Sequence, residues 1–136
     1  MEFDTKIAVV LRDDLAVWQK TNVTAFLVSG IAATNPGVVG EPYRDGSGNV
    51  YLPRFVQPVR TYVADAAALR RAYARAMDRG VMPAIYTAEL FATGHDEANR
   101  AEVAAVPADE LDLVGIAVRA DRKVVDKIVD RLKFHP

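Results

Sequence analysis

The first apolar run of the chain, Lys6-Ile-Ala-Val-Val-Leu11, is continuous and rich in β-branched residues, and Arg12-Asp13-Asp14 closes it. A run without polar alternation suits a strand covered on both faces, so a central strand is predicted. From Trp18 to Ala33 the period lengthens, with Val23, Phe26, Leu27, Gly30 and Ile31 at helical spacing until Asn35-Pro36-Gly37 interrupts it. This reads as a buried helix. Asp45-Gly-Ser-Gly-Asn49 is turn chemistry, flanked by Tyr43 and Tyr51 as arms of an irregular hairpin. Val59-Arg-Thr-Tyr-Val63 alternates as a strand, and Asp65 is placed to cap a helix reaching Arg79, with Leu69, Ala72, Tyr73, Ala76 and Met77 on one stripe and Gly80 at its end. Residues 82–87 predict another strand, 91–95 a loop, and 96–105 a short helix closed by Pro107. A last strand follows over 111–118, then a helix capped by Asp121 that carries Val124, Val125, Ile128, Val129 and Leu132. Alternating strands and helices imply α/β layers around a mixed or parallel sheet.

Length and composition narrow this picture. At 136 residues the chain is the size of one domain, expected to span 1–136, and 51% apolar with 26% charged residues describes an ordinary globule. The absence of cysteine excludes disulfides, thiolate metal sites and a cysteine nucleophile, and fits a reducing cytoplasm. Glu2 and Asp4 lead straight into the first strand, so no export signal is expected. Between Lys20 and Glu41 there is no charge, but the apolar part, residues 23–33, is too short to cross a bilayer. A net charge of −1 provides no general attraction to polynucleotides or anionic membranes, so neither is an expected partner. The charge is uneven all the same: residues 54–79 are basic and 80–112 acidic, and Arg70, Arg71, Arg75 and Arg79 form a basic helix face, read as solvated.

The common chemical motifs are missing. There is no phosphate loop, no Gly-x-Gly-x-x-Gly and no His-Glu-x-x-His. Asp45-Gly-Ser-Gly-Asn49 begins like a calcium loop but lacks the acidic residue that would close one, so a tight turn is expected, with no metal and no cofactor. His95 beside Asp96 and Glu97 suits metal binding or proton transfer, but adjacent residues rarely converge on one ion, and the plainer reading is a helix N-terminus whose dipole favours the two carboxylates. His135 is expected to fray. The group Asp13, Asp14, Trp18, Lys20 and Asn22 follows the first central strand, where open α/β sheets place ligand contacts. Its structural alternative is Asp14 as a cap, Trp18 as packing and Asn22 as a partner for neighbouring backbone. The 87–95 loop, with Thr87, Glu89 and His95, follows a strand running in the same sense, so the two groups are expected to share a sheet edge and line a small-molecule pocket. An interaction protein that dimerises through the uncharged 23–33 helix is the competing expectation.

The ordered segments Lys6-Ile-Ala-Val-Val-Leu11, Asn22-Val-Thr-Ala-Phe-Leu27, Asp45-Gly-Ser-Gly-Asn49, Gln57-Pro58-Val59, Leu113-Val-Gly-Ile-Ala-Val-Arg119 and Lys123-Val-Val-Asp-Lys-Ile-Val-Asp-Arg-Leu132 resemble those of the DUF2000 family, over nearly the whole chain. The resemblance implies a fold similar to peptidyl-tRNA hydrolase type II. That fold is a three-layer α/β/α arrangement with a small mixed sheet of about four main strands, often a homodimer. The hydrolase's lysine-rich segment after the first strand corresponds to Ala16-Val-Trp-Gln-Lys-Thr21, which keeps Lys20 out of register. Its Asp-Ala-Gly-Arg-Thr motif corresponds to Ala88-Glu-Leu-Phe-Ala92, where Glu89 is the only acid. With the basic surface and the water-activating groups both thinned out, the hydrolase reaction is expected to be absent; the remaining alternative is residual hydrolase-like or RNA-binding activity through the Arg70–Arg79 face.

Overall fold

The computed structural model describes residues 3–136; Met1 and Glu2, half of the acidic start, lie outside the described residues. Its centre is β1 (Thr5–Arg12), buried from Ile7 to Leu11 as the unbroken apolar run requires. Ile7, Val9 and Leu11 point to one side of the sheet, Ala8 and Val10 to the other, and each set enters a separate hydrophobic cluster. β1 is flanked by β6 (Leu113–Asp121), antiparallel, and by β4 (Val59–Ala64), parallel. β5 (Ala84–Thr87) and the two-residue β7 (Lys133–Phe134) complete a mixed sheet in the order β5-β6-β1-β4-β7. β2 (Tyr43–Arg44) and β3 (Val50–Tyr51) form a separate hairpin.

Helices cover both faces of the large sheet. α1 (Val17–Thr34) packs Val23, Leu27 and Ile31 against Ile7, Val9, Leu11, Val114 and Ala117. Gly115 of β6 lies under this helix; a Cβ there would sit 2.7 Å from Val23 Cγ1 and 3.2 Å from Leu27 Cδ1, so the close approach requires glycine. On the other face, α2 (Ala66–Asp78) buries Leu69, Ala72 and Ala76 beside Val125 and Ile128 of α4 (Arg122–Ile128). Asp65 caps α2 through the Ala68 N–H, and Gly80 follows its end in the left-handed conformation that glycine adopts without strain. α3 (Asp96–Ala104) is short and has no buried residue.

Several expectations are corrected. The last apolar strand lies beside the first but antiparallel to it, so the turns that follow the two emerge at opposite ends of the sheet. β5 is an edge strand, and it starts at Ala84, two residues later than the predicted 82–87 span, with Met82 exposed before it. α1 is not buried all round: Phe26 is 59% exposed. Asp121 does not cap α4 with its side chain, since β6 runs on to Asp121 itself. His135 is not frayed, because its backbone N–H donates to the Thr61 carbonyl at 2.9 Å. Among the described residues no helix is long and apolar enough to cross a membrane.

Candidate functional site

Because β1 and β5 each run antiparallel to β6, their C-terminal ends open on the same edge of the sheet. There the first turns of α1 face the segment after β5, a short 3₁₀ turn (Ala88–Ala92) leading into α3. Pairing of β5 with β6 slips at this point, Tyr86 opposing Gly115 but Thr87 opposing Leu113, so β6 carries a bulge beside the cleft. Bulges bend a strand and re-aim its side chains, and are enriched next to functional sites.

The space between these elements is a cleft of about 590 Å³. Its apolar wall is a chain of rings: Trp18 meets Phe91 edge-on at 5.8 Å between centroids, Phe91 lies 5.0 Å from Tyr86, and Tyr86 lies 6.0 Å from Phe26. Trp18, Asn22 and Phe26 are spaced by four residues and so share one face of α1. Tyr86 is buried, and burial pushes its hydroxyl pKa up, leaving a neutral phenol. The Asn22 side-chain amide donates to this oxygen at 3.3 Å, which leaves the phenolic hydrogen for another acceptor. The opposite rim is polar, with Thr93, His95, Asp96 and Asn99. His95 is the N-cap of α3: its Nδ1 accepts from the Ala98 N–H at 3.2 Å, so the neutral ring carries its proton on Nε2. The Thr93 hydroxyl donates to the Asn99 side-chain oxygen, fixing the loop onto α3.

Of the residues proposed from sequence, Trp18, Asn22 and His95 come together here. The others do not. Asp14 pairs with Arg12 at 2.7 Å, and that guanidinium holds its carboxyl below the usual range; Arg12 also reaches Asp112 at 2.8 Å. Asp14 is not the helix cap: Ala16 holds that position, and its N–H donates to Gln19 Oε1. Asp13 is exposed, with its backbone N–H on the Ala64 carbonyl. Thr87 is buried, Glu89 is exposed outside the cleft, and Lys20 lies on another flank of α1 with Nζ 2.9 Å from His135 Nε2. The sequence reading missed Phe26, Tyr86, Phe91 and Asn99. Helical periodicity puts Phe26 in the core, whereas its four-residue spacing from Trp18 and Asn22 is the signal that places it on the cleft face. Among the described residues no three acidic or histidine side chains are grouped to hold a metal ion.

The fold and cleft together define an α/β protein with an aromatic-walled recess at the mouth of its sheet. The chain belongs to the DUF2000 family, described as a protein of unknown function, which it matches over residues 5–136. It is 54% identical to a protein of unknown function from Agrobacterium tumefaciens strain C58 whose structure has been solved. The two superpose with a TM-score of 0.97, over 99% of this chain and 100% of that one. No functionally curated protein matches the chain.

Proposed function

We propose that the protein binds a small, planar, hydrogen-bonding molecule in the cleft between α1 and the loop after β5. The observation that carries this reading is the continuous row of rings from Trp18 to Phe26, whose outer members are 62% and 59% exposed while Asn22 and Tyr86 hold polar atoms between them. Exposed aromatic faces beside a few fixed polar groups are the composition of a ligand site. Trp18 is the sole tryptophan, so its fluorescence reports occupancy directly. In a titration with heteroaromatic probes, adenine, nicotinamide and indole first, at least one should quench or shift Trp18 emission saturably. Asn22→Ala and Phe91→Ala, checked for retained fold by circular dichroism, should weaken that binding about ten-fold, or roughly 1.4 kcal/mol. Probes that leave the emission unchanged, or that bind both variants as well as the parent, would overturn the reading.

We also infer kinship with the peptidyl-tRNA hydrolase type II fold without its reaction, in one domain of the cytoplasm. Lys20 and Glu89, the two remnants of the hydrolase pattern, lie outside the cleft. Purified protein should release no more peptide from peptidyl-tRNA than a buffer control.

A second reading is favoured by the β2–β3 arm. Residues 41–52 are exposed throughout, and Tyr43, Val50, Tyr51 and Leu52 cover no core of their own chain. Asp45 nevertheless orders the arm with a set of hydrogen bonds, and Arg54 Nε donates to the Tyr43 hydroxyl at 2.9 Å. A rigid exposed apolar arm suits a contact between two copies. Light scattering at micromolar concentration should then return twice the 14.9 kDa chain mass, and Leu52→Asp should return the single mass.

A further inference from the structure

We propose a second ligand site on the opposite face of the sheet from the aromatic cleft, in a groove between α2 and the turn after α4, and assign it to a small molecule that carries a phosphate or diphosphate group. The groove has a volume of about 490 Å³, with Arg71 and Arg75 of α2 on one side and Asp130 and Arg131 of the turn on the other. Arg71 and Arg75 are four residues apart, so both leave α2 on one side. Two features separate this arrangement from a merely solvated basic face. Arg75 is fixed, its Nη1 donating to the Asp130 carbonyl at 3.2 Å and to the Ile128 carbonyl at 3.5 Å. Arg131 has a φ of +69° and is the one residue other than glycine in the left-handed region among the described residues. Glycine would take that conformation without strain, whereas the arginine keeps the strain and brings a third cation to the groove.

The chain does not balance this charge itself. Among the described residues Asp130 is the only acid in the wall, and no ion pair includes it or any of the three arginines. The last residue, Pro136, lies beside Leu11 and Val17 on the α1 side of the sheet, away from this groove. The carbonyls that hold Arg75 contribute only the fraction of a charge that a helix end carries. Three cations against one carboxylate favour an anion of more than one charge, and the guanidinium fork matches the oxygens of a phosphate in pairs. Among the described residues no aromatic ring lines the groove to stack the bases of a strand, so the phosphate is assigned to a small molecule rather than to a polynucleotide.

The test is a ¹H–¹⁵N titration of the full chain with inorganic pyrophosphate, read at the backbone amides and at the arginine Nε–H groups. Pyrophosphate should shift the Nε–H signals of Arg71 and Arg131 and the amide of Asp130 saturably, and should leave Trp18 emission unchanged. Arg71→Gln, on the exposed side of α2, should weaken binding about ten-fold. Arg131→Gly should weaken it to a similar extent while raising the melting temperature, because it removes the charge and the strain together; a role in folding alone would move only the stability. A short single-stranded RNA at equal phosphate concentration should not displace the pyrophosphate. No saturable shift, unchanged affinity in both variants, or shifts centred on Lys6, Arg60 and Arg122 would each overturn the site, and displacement by the RNA would overturn its assignment to a small molecule.

Discussion

Asp45 lies fully in solvent, yet its carboxylate accepts from the Ser47 and Asn49 N–H groups, from the Asn49 side-chain amide at 3.0 Å and from the Tyr51 hydroxyl at 2.7 Å. The Tyr51 bond first, then those from Asn49, hold its carboxyl far below the ordinary range, and the same contact raises the Tyr51 hydroxyl. Since the folded value lies below the ordinary ~3.9 of the unfolded chain, the arm draws its full support from Asp45 above about pH 4. It loses that support as acidification passes through the lowered value. Carbon-detected NMR titration should find the Asp45 carboxylate still ionised at pH 3, and Tyr51→Phe should move its midpoint back toward the ordinary range. A midpoint near 3.9 in the parent protein would refute this. The turn itself was legible in Asp45-Gly-Ser-Gly-Asn49. The tyrosine hydroxyl that completes it was not, because it arrives from the returning strand.

At the scale of elements, two aspartates that look alike in sequence behave differently. Asp65 and Asp121 each precede a helix, but only Asp65 turns its side chain onto the first-turn amides, accepting from Ala68 at 2.8 Å. The start of α4 is tied differently, by the Arg122 N–H on the Asp4 carbonyl at 2.8 Å and the Arg122 side chain on the Phe3 carbonyl. Asp65→Ala should therefore cost about 1 kcal/mol in urea denaturation, whereas Asp121→Ala should stay within about 0.5 kcal/mol. Equal losses would show that the cap geometry is not what separates them. α1 teaches a related lesson. Its apolar period was readable, but three faces share the helix: Val23, Leu27 and Ile31 against the sheet, Trp18, Asn22 and Phe26 on the cleft, and Val17, Thr21 and Ala25 on the flank of Lys20. With little charge on any of them, periodicity could not tell core from site.

Across the whole molecule, β1 and β6 form the spine, each paired on both edges and covered on both faces. β5 and β7 are edges, and the β2–β3 arm stands apart. Native-state hydrogen exchange should accordingly protect the paired amides from Ile7 to Leu11 and from Ile116 to Val118 up to the global unfolding free energy. Amides of β7 and the arm should exchange by local opening at least a hundred-fold faster. Comparable protection in the arm would mean that something covers it in solution, as the dimer reading requires.

The sequence alone determined the main strands and helices, though not the two-residue β7, and with them the turn at Asp45-Gly-Ser-Gly-Asn49, the Asp65 cap and the central place of Lys6-Ile-Ala-Val-Val-Leu11, because periodicity, capping and burial on two faces are written in neighbouring residues. It also placed Trp18, Asn22 and His95 at one sheet edge, and the structure brings those three together there. Only the tertiary structure decided that β6 runs against β1, that Tyr86 and Phe91 complete the ring wall, and that Lys20 turns away from the cleft to His135. Those outcomes depend on strand direction, a one-residue slip opposite β5 and contacts between residues up to 116 positions apart, none of which leaves a local pattern in the chain.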